Sequence, residues 1–576
     1  MSRPSVATQL VDLAHGAGVE LFRTPDGEPF AVVPADSHQE IWPVRSSGFR
    51  LWLRRLYFST TRGTANSQAL QDALATLEGE ALFDGNQEDV HLRVAEWNGS
   101  HYLDLADPYW RVVEIGAAGW RVLDHSPVRF HRPKGLLGLP VPVSAGSLDG
   151  LREFLTVDDD GWRLVAGWLV ATLRPDRPFP ILALHGEQGS AKSTQAKMLR
   201  RMVDPNVADL RPCPREEYDL FLAAKNAWVI GFDNVSEIKP WLSDALCRVS
   251  TGIGFGRRQL YTDGDEYLLS VKRPIIVNGI EEVAVKGDFV DRAIVQCLPV
   301  IEEDQRREED ELWSAFEAAH PVLLGALLDV IAGALNALPG VHLDRKPRMA
   351  DFCRWAVAAE ASLGWKPGAF LRSYRRNQGR AVATTLEASL LVDPLRALLA
   401  QQPVKPPATK PEPKYEGRVG ELLRQLREQV DERTVRDDNW PKDAIRLAGE
   451  LRRLAPALRR IGINVEFPRT GKRRVIVEAK EKERGNQRDE RDERDEREGR
   501  ESQGTSGPDG GPDGPDGPDD SPTFSHGGSN GTEREPGREF ETGAWQVCAR
   551  CGGRRWRRRR NQADECAICI PEVGCP

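Results

Sequence analysis

Through the first 150 residues, apolar positions mostly alternate with polar ones. The runs EPFAVVP (28–34), VHLRVAEW (90–97), WRVVEI (110–115) and WRVL (120–123) have the period of two that half-buried strands show. One stretch, SQALQDALATLEGEALF (67–83), has helical spacing instead, so residues 1–150 are expected to form a small α+β region. From 151 to about 300, strand-like runs and helix-like stretches alternate, as an α/β nucleotide-binding core requires. Residues 303–392 read as helices, broken at Pro339 and at the GWKPG turn that starts at Gly364. The core is thus expected to run from 151 to 392 with a helical extension.

Beyond it the pattern changes three times. Residues 393–414, ending in QQPVKPPATKPEPK, read as a proline-rich linker. Residues 415–478 regain periodicity: GELLRQLREQV, PKDAIRLAGE and LRRLAPALRRIG predict three helices, and INVEFP and RRVIVE two strands joined by RTGK. Three helices followed by a β-hairpin in that order resemble a winged-helix domain. Residues 479–544 consist largely of RDE and GPD triplets, too rich in charge, Gly and Pro to build a core, and are expected to be a disordered tether. Residues 545–576 form a short, cysteine-bearing end.

Composition narrows the class. A chain of 576 residues, 40% of them hydrophobic, has enough apolar surface for several cores. Met1 to Phe22 has no apolar run after a basic start, and VLLGALLDVIAGAL, from Val322, is short for a bilayer and carries Asp329. A soluble, cytoplasmic protein with no membrane partner is therefore expected. Five of the nine cysteines fall in the last 29 residues, while Cys213, Cys247, Cys297 and Cys353 are scattered singly, a distribution that favours a reducing compartment with one local metal site. The formal charge of -8 averages over segments of opposite sign, for Pro441 to Glu478 alone holds ten Lys/Arg against four Asp/Glu.

The strongest candidate chemistry is GEQGSAKST (186–194), preceded by the apolar run ILALH and followed by a helix-like stretch. In a phosphate-binding loop glycines let backbone N–H groups converge on phosphate oxygens, a Lys neutralises charge, and a hydroxyl reaches Mg²⁺. Gly186, Gly189, Lys192 and Ser193 occupy those places, with Thr194 beside them. The strict pattern has Gly where Ala191 stands, which is tolerable if Ala191 keeps negative φ. Forty residues after Ser193, NAWVIGFDNVS reads as a buried strand ending in Asp233, a carboxylate able to hold the metal. RPIIVNGI then ends in Asn278, and FVDRAIV places Arg292 at the shoulder of a further strand.

Together, GEQGSAKST, WVIGFDNV, the hairpin-like GRRQLYTDGDEYLLSVKRP, IIVNGI and FVDRAIV resemble the ATPase core of superfamily III helicases of the AAA+ class, in particular the phage and plasmid primase-helicase branch, over roughly residues 150–385. The resemblance implies a homo-oligomeric ring, usually a hexamer, with ATP at subunit interfaces. It assigns Lys192 and Ser193 to phosphate and Mg²⁺, Asp233 to the metal, Asn278 to sensing the γ-phosphate, and Arg292 to a neighbour's ATP. One departure stands out. The family places a second acidic residue after the Asp to polarise the attacking water, and here that residue is Asn234, a poor proton acceptor. Either Glu237 substitutes for it or turnover is slow.

Three segments are candidates for nucleic acid. Arg257 and Arg258 on one arm of the hairpin, with Lys272 and Arg273 on the other, match the place where the helicase family grips a DNA backbone in its channel. In the winged-helix-like unit Arg452, Arg453, Arg459 and Arg460 lie on the third expected helix, and Lys472, Arg473 and Arg474 on the wing. At the C-terminus Cys548, Cys551, Cys566 and Cys569 form two CxxC knuckles fourteen residues apart, spacing suited to a structural Zn²⁺ ribbon, and six arginines surround Trp556 between them. Cys575 has no assigned role. The competing readings are a solvated hairpin, a basic protein-docking face and an acidic protein partner.

The expected protein is a multidomain α/β chain: a P-loop AAA+ type ATPase core, a winged helix, a disordered arm and a zinc ribbon. Its expected work is that of an ATP-hydrolysing DNA helicase or remodeller in phage or mobile-element replication, acting on single-stranded or forked DNA, with other replication proteins as further partners and without primer synthesis. The alternative is an ATP-gated DNA-binding initiator or regulator with little hydrolysis. A P-loop small-molecule kinase is a poor fit to the basic C-terminal units.

Overall fold

The structure is a computed structural model. It describes residues 4–479 except 36–37, 145, 176, 237, 253, 259–265, 270, 280–286, 388, 402–412, 438 and 469–473, and beyond them only 544–547 and 554–557. The chain divides into two units, Met1–Arg484 and Gly485–Pro576.

The first unit opens with three helices where the pattern predicts one. These are α1 (Val6–Gly16), α2 (Ser47–Thr61) and α3 (Ser67–Phe83). Ser5, Ser46 and Asn66 cap their N-termini by accepting backbone N–H bonds. Periodicity in α2 is easy to miss because only Phe49, Leu53 and Tyr57 are buried. The helices pack on strands β1 (Glu20–Arg23), β2 (Pro29–Pro34), β3 (Gln39–Pro43) and β4 (Asn86–Gln87), in sheet order β3-β2-β1-β4. The run at 90–97 splits into β5 (Val90–His91) and β6 (Val94–Trp97). An antiparallel meander follows, from β6 through β7 (Ser100–Asp104) and β8 (Val112–Gly116) to β9 (Gly119–Leu123); Asn98 and Gly99, both at positive φ, make the first turn. A short β10 (Arg129–Phe130) pairs with β5.

The hydrophobic interior crosses residue 150. Val94, Leu103, Val113 and Ile115 of the meander share one cluster with α4 (Asp159–Thr172) and later helices. A buried ion cluster joins the same parts. The Arg93 Nε donates to Asp204 Oδ1 at 3.1 Å, Arg200 lies 3.8 Å from the other carboxylate oxygen, and all three side chains are fully buried.

The centre of the unit is a five-stranded parallel sheet. Its strands are β11 (Ile181–His185), β12 (Arg211–Pro212), β13 (Ile230–Asp233), β16 (Ile275–Asn278) and β17 (Ala293–Cys297), in order β12-β13-β16-β11-β17. Helices α5 (Lys192–Arg201), α6 (Glu217–Asn226) and α7 (Pro240–Thr251) connect the strands. Between α7 and β16 lies an antiparallel hairpin, β14 (Phe255–Arg258) with β15 (Glu266–Leu269). A four-residue turn of helix, α8 (Gly287–Val290), precedes β17.

The helical extension comprises α9 (Glu309–Ala337), α10 (Ala350–Ala359) and α11 (Ala369–Glu387), with breaks at Leu338–Gly340 and around Gly364, as the pattern requires. Among the described residues, α9 is the one helix long and apolar enough to cross a membrane. It lies inside the core, and Trp120 of the meander donates to Asp329 at 2.7 Å. The start of the expected linker is instead a helix, α12 (Val392–Ala400), held by buried Leu395, Leu398 and Leu399.

The basic unit holds β18 (Lys414–Arg418), α13 (Val419–Arg427), α14 (Glu432–Arg436), α15 (Ala444–Arg460), β19 (Ile463–Glu466) and β20 (Arg474–Ala479). Two expectations change here. The stretches read as second and third helices are the single helix α15, since nothing breaks the pattern at Glu450 and Asp443 caps its start; the second helix is α14. A third strand, β18, pairs with β20 to give the order β18-β20-β19. The unit shares a core with Val290, Ala381 and Leu386 of the preceding part.

In the second unit β21 (Ala544–Val547) pairs antiparallel with β22 (Arg554–Arg557). The expected disordered arm lies outside the described residues.

Candidate functional site

The loop 186–194 leaves the C-terminal end of β11 and enters α5, so its N–H groups sit at a helix N-terminus. Gly186 (φ 155) and Gly189 (φ 91) use backbone angles suited to glycine, and a Cβ at Gly186 would stand 2.5 Å from the Leu298 carbonyl. Ala191 does not keep negative φ: it lies in the left-handed region at φ 53, a strained position for a residue with a Cβ. The Lys192 Nζ folds over the loop and donates to the carbonyls of Gly186 and Glu187, each at 2.7 Å. Thr194 is half-buried on the first turn of α5.

Three neighbouring strand ends complete this edge. The Ser193 Oγ donates to Asp233 Oδ1 at 2.8 Å, joining β11's loop to the end of β13. Asn278, buried at the end of β16, directs its Nδ2 at Ser193 Oγ (3.5 Å) and accepts the Asn234 N–H on its Oδ1 (3.0 Å). Strand β16 lies between β11 and β13, which is why residues 85 apart in sequence meet. A hydroxyl and a carboxylate at one point form an all-oxygen donor set that suits Mg²⁺ with phosphate oxygens. Asn234 is exposed in the left-handed region at φ 51, where asparagine is tolerated. Glu237 lies outside the described residues.

Arg292 stands elsewhere. It immediately precedes β17 in a parallel sheet, at the edge opposite the loop. A five-residue strand separates the edges by about 16 Å, beyond the reach of its side chain. It pairs with Asp288, which Arg348 also approaches at 3.7 Å. The adjacent Asp291 pairs with Arg460 of α15 at 3.1 Å, and Val290 is buried in the core shared with the basic unit.

The motifs do not reveal a cavity of about 460 Å³ beside His185, the residue before Gly186. Asp160 and Gly161 from α4, Gln296 and Cys297 from β17, and Arg376 and Arg380 from α11 line it. Burial opposes the charge on Asp160, but bonds from Arg376 and Ser373 outweigh it and hold the carboxyl below its usual range. Burial, then the charge of Lys192, pushes the His185 pKa down. A Cβ on Gly161 would come within 2.5 Å of the Gln296 amide, so this glycine keeps the wall open. Only its place between a motif and a helix some 190 residues later identifies this site.

The expected nucleic-acid residues separate into groups. In the hairpin, Arg257 faces Tyr267 and Arg258 faces Glu266 in register, and the tip is outside the described residues. Arg273 is half-buried, over the Trp228 ring (5.2 Å) and bonded to the Ala224 carbonyl, and Lys272 is half-buried too. Arg459 is exposed on α15, whereas Arg460 faces Asp291 and Arg453 pairs with Glu450. Lys472 and Arg473 lie outside the described residues. A groove of about 1150 Å³ does gather arginines: Arg418, Arg424, Arg452 and Arg474 rim it, with Val419, Ala448 and Phe467 on its floor. The Arg452 guanidinium lies 4.2 Å over the Phe467 ring. Cys548, Cys551, Cys566 and Cys569 lie outside the described residues; the first two fall in the connection between β21 and β22.

Comparison with known proteins places the chain. A model of the actinomycete integrative conjugative element replication protein matches residues 146–378, the stretch carrying the loop, Asp233, Asn278 and Arg292. A model of the AICE RepA C-terminal domain matches residues 396–493. No curated protein matches. Among solved structures, an apo form of the NrS-1 C-terminal region covers 82% of this chain and 99% of its own at 11% identity and a TM-score of 0.37. A second apo structure of that region, residues 305–718, covers 83% and 100% at 11% identity and a TM-score of 0.36. Similarity at this level transfers neither fold nor function. Two models of one replication system thus match the chain in succession, over residues 146–378 and 396–493, and by this similarity it is a replication-related protein of a mobile element.

Proposed function

We propose that the protein is an ATP-driven DNA motor or remodeller of the superfamily III kind, working as a ring in replication of its element. The observation that carries this reading is the division of chemistry between the two edges of one sheet: Lys192, Ser193, Asp233 and Asn278 converge at one, and Arg292 stands at the other. A site whose arginine cannot reach its own phosphate loop is complete only when a second copy supplies that group, as head-to-tail ring contacts do. In this reading the loop N–H groups and Lys192 hold the phosphates, and Ser193 and Asp233 hold Mg²⁺, which would neutralise developing phosphate charge. The cavity beside His185 receives the nucleoside, its volume being within the range of ligand sites. Asn278 bridges Ser193 and the Asn234 backbone, so it can report loss of the γ-phosphate to the strand that carries Asp233.

The sheet order, with the Asn278 strand between those of the loop and of Asp233, supports an AAA+ type core. Three helices on a three-stranded antiparallel sheet support the winged helix, for which the arginine-rimmed groove is the DNA face. The CxxC in the β21–β22 connection supports a zinc ribbon, whose four thiolates would close a structural site. Such a protein works in the cytoplasm.

Asn234 favours a second reading, an ATP-gated DNA-binding assembly with little turnover, because no carboxylate stands directly after Asp233. ATP hydrolysis by the purified protein, with and without single-stranded DNA and beside Lys192→Ala, separates the two. DNA-stimulated hydrolysis lost in the variant supports the motor. ATP binding with hydrolysis at the variant's background refutes it and leaves the gated assembly.

A further inference from the structure

Residues 1–145 lie outside both family matches, and the motor reading gives them no task. Yet they hold an unusual charge distribution. From Ile41 to Gln71 the sequence has Arg45, Arg50, Arg54, Arg55 and Arg62 and no Asp or Glu, in a chain of net charge -8. Arg45 pairs with Glu78. Arg50, Arg54, Arg55 and Arg62 are exposed, and among the described residues no carboxylate pairs with them.

Helix α2 explains their arrangement. Phe49, Leu53 and Tyr57 bury one face against the N-terminal core, which turns Arg54, Arg55 and Phe58 outward. Arg50 and Arg54 are one helical turn apart, so like charge is stacked there without relief and disfavours the helix in isolation. Two apolar side chains stand among the cations: Leu51 is 66% exposed and Phe58 49%. The Arg62 guanidinium lies over the Phe58 ring at 5.9 Å. From Arg50 to Arg62 the cations extend over about 18 Å, the length of about five phosphates along one DNA strand.

We propose that this outward face of α2 is a second nucleic-acid surface, one that holds single-stranded DNA. Arg50, Arg54, Arg55 and Arg62 contact phosphates, and Phe58 and Leu51 pack against bases. Charge complementarity argues for a polyanion, and an exposed ring among arginines argues for unstacked bases, which a duplex does not offer. The inference rests on the reading of the protein as one that acts on DNA and adds a site distant in sequence from the winged helix.

The test is fluorescence anisotropy of the full-length protein on a labelled deoxythymidine oligonucleotide over a salt series. The wild type is compared with a triple Arg50→Gln, Arg54→Gln, Arg55→Gln variant, its triple Lys counterpart, and Phe58→Ala. These positions are exposed, and circular dichroism checks that α2 stays folded. Three lost phosphate contacts lower the slope of log K against log salt by about 2, at roughly 0.7 per contact with a single strand. The Lys variant should keep the wild-type slope, and Phe58→Ala should weaken binding several-fold with the slope unchanged. A Gln variant with wild-type slope and affinity overturns the proposal. So does a variant that keeps DNA binding but loses binding to phosphatidylserine vesicles, which would make α2 a lipid surface. If Arg424→Gln with Arg452→Gln lowers the slope while the α2 variant does not, this inference fails and the winged-helix reading stands. If the wild type does not bind DNA, both fail.

Discussion

Asp204→Asn should be among the most damaging single substitutions in the protein, although Asp204 lies outside both the loop 186–194 and the basic unit. Its carboxylate is fully buried, pairs with Arg93 at 3.1 Å and lies 3.8 Å from Arg200. It also accepts the backbone N–H groups of Trp228 and Val229, at 3.1 and 2.9 Å. An amide can keep one of those roles but removes the carboxylate charge that faces both buried guanidiniums, leaving Asp209 to act on Arg200. Breaking a buried pair from one side costs about 3–5 kcal/mol. Part of that loss reaches the site, because Trp228 and Val229 lead directly into β13 and Asp233. Urea unfolding followed by tryptophan fluorescence reads the stability, and a fluorescent ATP analogue reads the site. Combining Asp204→Asn with Arg93→Met should recover part of the loss, since one unpaired charge is removed. A loss below about 1 kcal/mol, the value of an exposed pair, would refute the assignment of this cluster as the joint between meander and core.

Other perturbations test separate parts of the account. Ala191→Gly relieves left-handed strain of about 1–2 kcal/mol, partly offset by glycine's greater freedom when unfolded. It should raise the unfolding midpoint slightly and leave nucleotide binding intact, whereas Ala191→Val should weaken both. Burial pushes the imidazoles of His101 and His320 down to about 4 from an ordinary 6.5, so both are neutral in the folded protein. Unfolded chains take up these protons first, so stability present above pH 6.5 is lost as pH falls towards 4, at about 1.4 kcal/mol per unit for each histidine. Urea midpoints between pH 7 and 5 check this, and His320→Gln should flatten the decline. Asn234→Glu supplies the absent proton acceptor and should raise ATP turnover by about 10²-fold or more; unchanged turnover would show that this position does not orient the water.

Legibility followed the range of the interactions. The loop, Asp233 and Asn278 were readable because each sits at the end of an apolar strand with its chemistry in adjacent residues, and parallel pairing around β16 then brings them together. The condition set on Ala191, a negative φ, is not met, and a sequence does not state φ. Helix α2 was hidden because its outer face is arginine and its buried face only three residues, and α15 was cut in two because a helical pattern alone does not mark where one helix ends. The cavity beside His185, the Arg93–Asp204–Arg200 cluster and the Arg460–Asp291 pair depend on residues far apart in sequence, for which periodicity has no signal. Arg460 reads in sequence as a nucleic-acid contact, and nothing in the sequence points to its partner Asp291.

The central claim is that each ATP site takes Arg292 from another copy. Mixing tests it directly: Lys192→Ala and Arg292→Ala proteins are assayed for DNA-stimulated ATP hydrolysis alone and then combined. Each alone should be inactive. In mixed rings about a quarter of interfaces pair an intact phosphate loop with an intact Arg292, so activity should return to a comparable fraction of wild type. No recovery on mixing, under conditions where the two variants form mixed assemblies, would contradict the shared site.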